Sequence, residues 1–200
     1  EQSEISMLLA GPGVLAIVAL APVAIPLLYS GRFTEAVGIL QWQCLGVLLR
    51  VASWPVGFTL QARRLVRTFV WTQALAHAFH VGVFWVLSSS FGLDGAALAM
   101  AALYSMHMPL IVFLVRRETG FSWSIEARSV LYVTFSAYAA VLVVNALLPG
   151  WWRIAASLLV VGGVGLHSYR EISRRADLPL IGAVLRRLPF GKRSTPGERR

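Results

Sequence analysis

The chain predicts an all-α polytopic membrane bundle with six transmembrane helices. Three observations carry this. Six long apolar runs cover most of the chain, and a bilayer core about 30 Å thick needs roughly 20 apolar residues as a helix. Of the 18 basic and 9 acidic residues, only Arg50 lies inside such a run; the rest fall at run ends, in gaps or in the tail. Hydrophobic residues make up 57% of the chain, charged residues 14%, and the mean hydropathy is +0.68. Soluble domains carry about 25% charged residues, and a 200-residue domain could not bury all these runs.

The predicted spans are 5–29, 36–62, 68–90, 95–115, 130–148 and 151–167, forming a transmembrane bundle over 1–168. The sixth is short and extends naturally to Tyr169, a residue suited to the interface. Residues 169–200 form a basic tail, in which 178–188, with Pro179 at its second position and Pro189 just after it, is expected as an interfacial helix. Basic residues near anionic lipid gain about 1 kcal/mol each, so a membrane surface rather than nucleic acid is the expected partner of the tail. The chain begins at Glu1 with no basic leader region before its first apolar run, which reads as a piece of a longer protein.

Orientation follows from the basic residues. Arg63, Arg64 and Arg67 follow the second span; Arg116, Arg117 and Arg128 follow the fourth; the tail holds nine more. The alternate gaps hold only Arg32 and Arg153. Both ends of the chain are therefore expected in the cytoplasm. Tyr29, Trp123, Trp151, Trp152 and Tyr169 stand near predicted interfaces, where amphipathic rings prefer to sit.

The first span carries Pro12, Pro22 and Pro26, each of which removes a backbone donor. Neighbouring helices are expected to satisfy the freed carbonyls; the bend is either static or one that moves between two states. The fourth span opens with small residues at four-residue spacing, Gly92/Ala96, Gly95/Ala99 and Ala97/Ala101, which predicts close helix packing.

Polar residues at membrane depth are the candidate site. In the second span Gln43, Gly46, Arg50, Trp54, Gly57 and Gln61 share one side at helical spacing. A charge at the bilayer centre costs about 2.5–3.5 kcal/mol on insertion scales, so Arg50 needs a reason. Either it lines a hydrated path and meets an anionic substrate group, which guanidinium grips as a bidentate fork, or it serves structure through helix-end carbonyls or an acid elsewhere in the whole protein. The third span carries a second stripe of Gln73, His77 and His80. It reads as a cavity wall, as a proton-sensitive pair or as interhelical hydrogen bonding. His107 and Asn145 stand alone and read as helix–helix contacts. Two histidines without a carboxylate or thiolate do not predict zinc, and Cys44, the single cysteine, excludes an internal disulfide. No catalytic constellation or phosphate loop is present, so neither an enzyme nor a cofactor or metal is expected.

Four stretches in order carry a resemblance. They are a Pro-containing helix ending Leu27-Leu28-Tyr29-Ser30-Gly31-Arg32-Phe33; the helix from Leu40-Gln41-Trp42-Gln43-Cys44-Leu45-Gly46 through Leu49-Arg50 to Ser53-Trp54-Pro55-Val56-Gly57; the basic gap after Gln61-Ala62; and Gly92-Leu93-Asp94-Gly95 with Ala99. Together, over about residues 5–121, they resemble bacterial flippases for lipid-linked oligosaccharides, the O-antigen and enterobacterial common antigen translocases of the multidrug/oligosaccharidyl-lipid/polysaccharide exporter superfamily. Arg63-Arg64 departs from the family, which often has a glycine beside a basic residue there. The resemblance implies the C-terminal part of a larger two-lobe transporter. It also implies an undecaprenyl-pyrophosphate-linked oligosaccharide as substrate, carried across the bacterial inner membrane by alternating access, and further helices of the same protein as partners. The alternatives are a multispan enzyme of polysaccharide assembly, another exporter of that superfamily, or an assembly subunit.

Overall fold

The computed structural model describes residues 2–29 and 31–176. These residues are helical throughout, apart from short connections: α1 (Gln2–Leu28), a single 3₁₀ turn (Gly31–Phe33), α2 (Ala36–Ala62), α3 (Val66–Thr119), α4 (Ile125–Leu147) and α5 (Gly150–Ala176). Helices α1 to α4 are long and apolar enough to cross a membrane. Their outer surfaces are apolar as well: Leu27, Trp85 and Leu147 are each at least three-quarters exposed. Apolar patches of that extent do not face water in a stable monomer.

The longest helix is broken within itself. Gly92 has φ 60° and ψ −132°, a non-helical backbone that essentially only glycine adopts. The break divides α3 into a first arm before Gly92 and a second arm after it, and the two arms lie side by side. Arg67, Thr68, Trp71, Thr72 and Leu75 of the first line one cleft with Leu110 and Leu114 of the second. The small residues foreseen at this point make the fold-back sterically feasible. A Cβ on Gly95 would stand 1.9 Å from the Leu87 carbonyl oxygen, and Ala97, Ala99 and Ala101 are buried.

The second arm runs parallel to α2 and in register with it. Gly46 meets Met100, and its bare Cα lets the Ala101 backbone approach; Gly57 meets Ile111. The offset is 54 residues at both points. Val56, Leu60, Ile111 and Val115 close this pair into a small core, with Phe69 of the first arm against it.

Helix α1 is the hub of the other half, packing on α2, α4 and α5. Its core residues Met7, Leu8, Leu15 and Val18 join Leu48 and Ala52 of α2, Tyr138 and Val141 of α4, and Val164 of α5. All three prolines lie inside one continuous helix. Pro22 has no N–H for the Val18 carbonyl, and Asn145 of α4 supplies a substitute: its Nδ2 donates to that oxygen at 3.3 Å. Ser157 of α5 in turn donates to Asn145 Oδ1 at 3.4 Å. Asn145 is thus the helix–helix contact expected. The Tyr138 hydroxyl donates across to the Gln41 carbonyl of α2 at 2.7 Å.

Ser124 caps α4, accepting from the Ala127 amide. Helix α5 continues through Tyr169 to Ala176, past the expected end of the last span, because Gly and Pro are absent between Gly165 and Pro179. The expected interfacial helix 178–188 and the rest of the basic tail from 177 onward lie outside the described residues.

The start of α1, the end of α2, the α3–α4 connection and the start of α4 share one cavity of about 340 Å³. The start of α4 and the C-terminal part of α5 share another with Glu4. One end of the bundle therefore gathers Arg63, Arg64, Arg67, Arg116, Arg117, Arg128, Arg170 and Arg174, while Arg32 and Arg153 lie at the opposite end.

Candidate functional site

Arg50 lies near the middle of α2, partly exposed, on the side where the second arm of α3 packs. Its guanidinium carbon stands 3.8 Å over the centre of the Trp54 ring, one helical turn on. A flat guanidinium on an indole face gains about 0.5–1 kcal/mol where exposed and about 2 or more where desolvated. Among the described residues no carboxylate pairs with Arg50, and α2 itself contains no acid. The Ser53 hydroxyl donates to the Arg50 carbonyl at 3.1 Å; that bond uses the backbone and leaves the side chain to its ring contact.

Opposite Arg50, at the same 54-residue offset, stands Tyr104, near both Arg50 and the Trp54 side chain. Tyr104 meets His107 edge-on, with ring centres 5.9 Å apart. His107 is only 2% exposed, and neither of its ring nitrogens has a partner. A polar cluster thus joins Trp54 and Arg50 on α2 to Tyr104 and His107 on the second arm.

The stripe foreseen on α2 divides in two. Gly46 and Gly57 are packing positions against the second arm, whereas Arg50, Trp54 and Gln61 keep exposed surface. Gln43 belongs elsewhere. It lines an apolar cavity of about 390 Å³ with Ile25, Tyr29, Phe33 and Leu40, between the end of α1 and the start of α2.

The stripe on the first arm also separates. Gln73 is half-buried and its carbonyl accepts from His77 Nδ1 at 2.7 Å. His80 sits edge-on to Phe84 of its own helix, with centres 6.4 Å apart. The contacts of His77 and His80 thus lie within their own arm. Tyr104 was not singled out in the sequence, and His107 was read as a packing contact. Their i, i+3 spacing is a detectable signal, but only the 54-residue register aligns it with Arg50.

The arrangement offers a fixed cation, an aromatic platform and a hydroxyl, with no acid among them. Those are the elements for holding an anionic group whose neighbour has a ring face. Among the described residues no group of three or more His, Cys, Asp or Glu could hold a metal ion. The fold and site together define a helical membrane protein with a cationic, aromatic-lined patch midway along one of its apolar helices. Compared with family models, with curated proteins and with solved structures, the chain matches none.

Proposed function

We propose that the chain forms part of a flippase that carries an undecaprenyl-pyrophosphate-linked oligosaccharide from the cytoplasmic to the outer leaflet of a bacterial inner membrane. The observation that carries this reading is Arg50: a mid-helix guanidinium with no carboxylate partner among the described residues, set over the Trp54 ring beside Tyr104. A charge kept at that depth marks a substrate path by default, and a guanidinium fits a phosphate fork. The indole and phenol faces beside it suit the sugar that follows the pyrophosphate. A charged headgroup cannot cross hydrocarbon unaided, so a cationic path between two lobes opening alternately meets the physical need.

On this reading the chain crosses the membrane six times. The two arms of α3 count as separate crossings, because the break at Gly92 reverses the chain, and α5 supplies the sixth through the apolar stretch after Arg153. The arginine-rich end of the bundle faces the cytoplasm, with both chain ends there and the basic tail on the anionic leaflet. Further helices of the same protein complete the cavity.

The test is export of lipid-linked oligosaccharide in cells whose only copy carries Arg50→Ala, with membrane insertion measured in parallel. Export is expected to fall at least tenfold at normal protein level, the loss of one charge-assisted phosphate contact of about 1.5–3 kcal/mol. Full export at normal level would refute the assignment.

A further inference from the structure

The cavity shared by the start of α1, the end of α2, the α3–α4 connection and the start of α4 is lined quite differently from the apolar cavity at the opposite end of α2. Its volume is about 340 Å³, within the range of small-molecule pockets. Gln2, Ser3, Thr59 and Ser122 bring an amide and three hydroxyls to it, and Phe121 and Trp123 bring ring surface. None of the lining side chains carries a charge.

These polar groups are not spent on the fold. Ser53, Thr72, Thr119 and Thr134 each close onto a carbonyl of the preceding turn of their own helix, the local bond open to any helical hydroxyl. Thr59 makes no such bond, and among the described residues Gln2, Ser3 and Ser122 hydrogen-bond to no other group. Ser3 is only 8% exposed, and a hydroxyl buried that far costs stability unless something in the cavity partners it. Ser124 alone is committed, accepting from the Ala127 amide. The ring surface is fixed in advance. Gly120, at φ 70°, ends α3 in the left-handed conformation and Ser124 caps α4, so the connection between them is pinned at both ends. Trp123 packs against both cores of the bundle and meets Phe121 with ring centres 5.9 Å apart. A platform held before the ligand arrives spares the ordering cost of binding.

We propose that this cavity is a binding site for a neutral sugar ring, separate from the patch at Arg50. Sugar hydroxyls both donate and accept, as do Ser and Thr hydroxyls and the Gln amide. The C–H surface of the ring is apolar and suits the Phe121 and Trp123 side chains. A phosphate would find no cation in the lining, and an ammonium no carboxylate. The cavity lies at the arginine-rich end of the bundle. On the flippase reading that end faces the cytoplasm, so the site receives the substrate's sugar before transport. That role rests on the flippase reading; sugar binding itself does not.

The test is ¹⁹F NMR of the full-length protein in nanodiscs, labelled with fluorotryptophan, the Trp123 signal being assigned by Trp123→Phe. The probes are the methyl glycosides of glucose, galactose and N-acetylglucosamine, with inorganic phosphate alongside. At least one glycoside is expected to move the Trp123 signal saturably, with a dissociation constant on the order of 1–10 mM, the reach of a ligand of about twelve non-hydrogen atoms. Ser3→Ala and Thr59→Val should each weaken that binding about threefold or more, and Arg50→Ala should leave it unchanged. Nanodiscs that carry the same sugar on a diacylglycerol give the second arm. The same shift there assigns the headgroup of a glycolipid as the ligand, and a shift with the free glycoside alone assigns a soluble sugar.

No saturable shift with any sugar, free or lipid-borne, or an equal shift with phosphate, overturns the site and leaves the Arg50 export test standing on its own. A shift abolished by Arg50→Ala puts the sugar at that patch and overturns the separate site.

Discussion

Arg50 shows how one side chain can be held at a costly depth. Its guanidinium lies on the Trp54 ring and so keeps a favourable contact while its N–H groups remain free for an anion. Lysine can neither lie flat nor present a fork. Arg50→Lys is therefore expected to lose most of the export that Arg50→Ala loses, and Trp54→Leu to lose part of it; transport per inserted molecule in membrane vesicles would check both. A lysine variant with full transport would mean that only the charge matters. Asn145 is a second case. It repairs the carbonyl that Pro22 leaves open at Val18. Asn145→Leu is expected to destabilise the bundle by roughly 0.5–1.5 kcal/mol, the range of interhelical hydrogen bonds in membranes, read as a lower unfolding midpoint in detergent. The double variant Asn145→Leu with Pro22→Ala should recover that loss, since alanine restores the intrahelical donor. Both residues are plain in the sequence, but the pairing is not: 123 positions separate Pro22 from Asn145, and periodicity carries no information about which helices touch.

At the scale of elements, the fold-back of α3 decides most. Gly92 takes a backbone that β-branched residues avoid, and Gly95 lies against the Leu87 backbone, which cannot yield as a flexible side chain can. Gly95→Ala is expected to cost about 3 kcal/mol or more, at the upper end of overpacking effects. Gly82→Ala, with nothing near its Cβ, should be neutral or slightly stabilising. Equal unfolding midpoints for the two variants would show that the close approach of the arms is not required. The small residues after Gly92 were legible as a packing surface, because small-xxx-small spacing has one physical use in lipid. Their partners were not legible: one is the preceding arm of the same helix, the other is α2. The polar stripe on α2 was legible as a face, yet it serves two purposes, since glycine at a helical position packs while arginine at the next turn stays open.

For the whole molecule, alternate helix directions place the basic residues at one end, as the charge asymmetry of the gaps requires. With the buried Cys44 replaced by Ala, Arg63→Cys and Pro149→Cys provide single exposed thiols at opposite ends. A membrane-impermeant maleimide added to intact cells is expected to label Pro149→Cys and to spare Arg63→Cys until the membrane is opened. The reverse pattern would invert the orientation and place the basic end outside.

Helical character, the positions of the apolar runs, the basic gaps and the exceptional place of Arg50 were all legible in the residues alone. Each of these depends on composition and local spacing alone. It took the packing of the helices to put Tyr104 and His107 with Arg50 and to give Gln43 a different cavity. Those are matters of register between helices. Register is set by a reversal at one glycine and by how closely small residues let backbones approach, and no helical period encodes it.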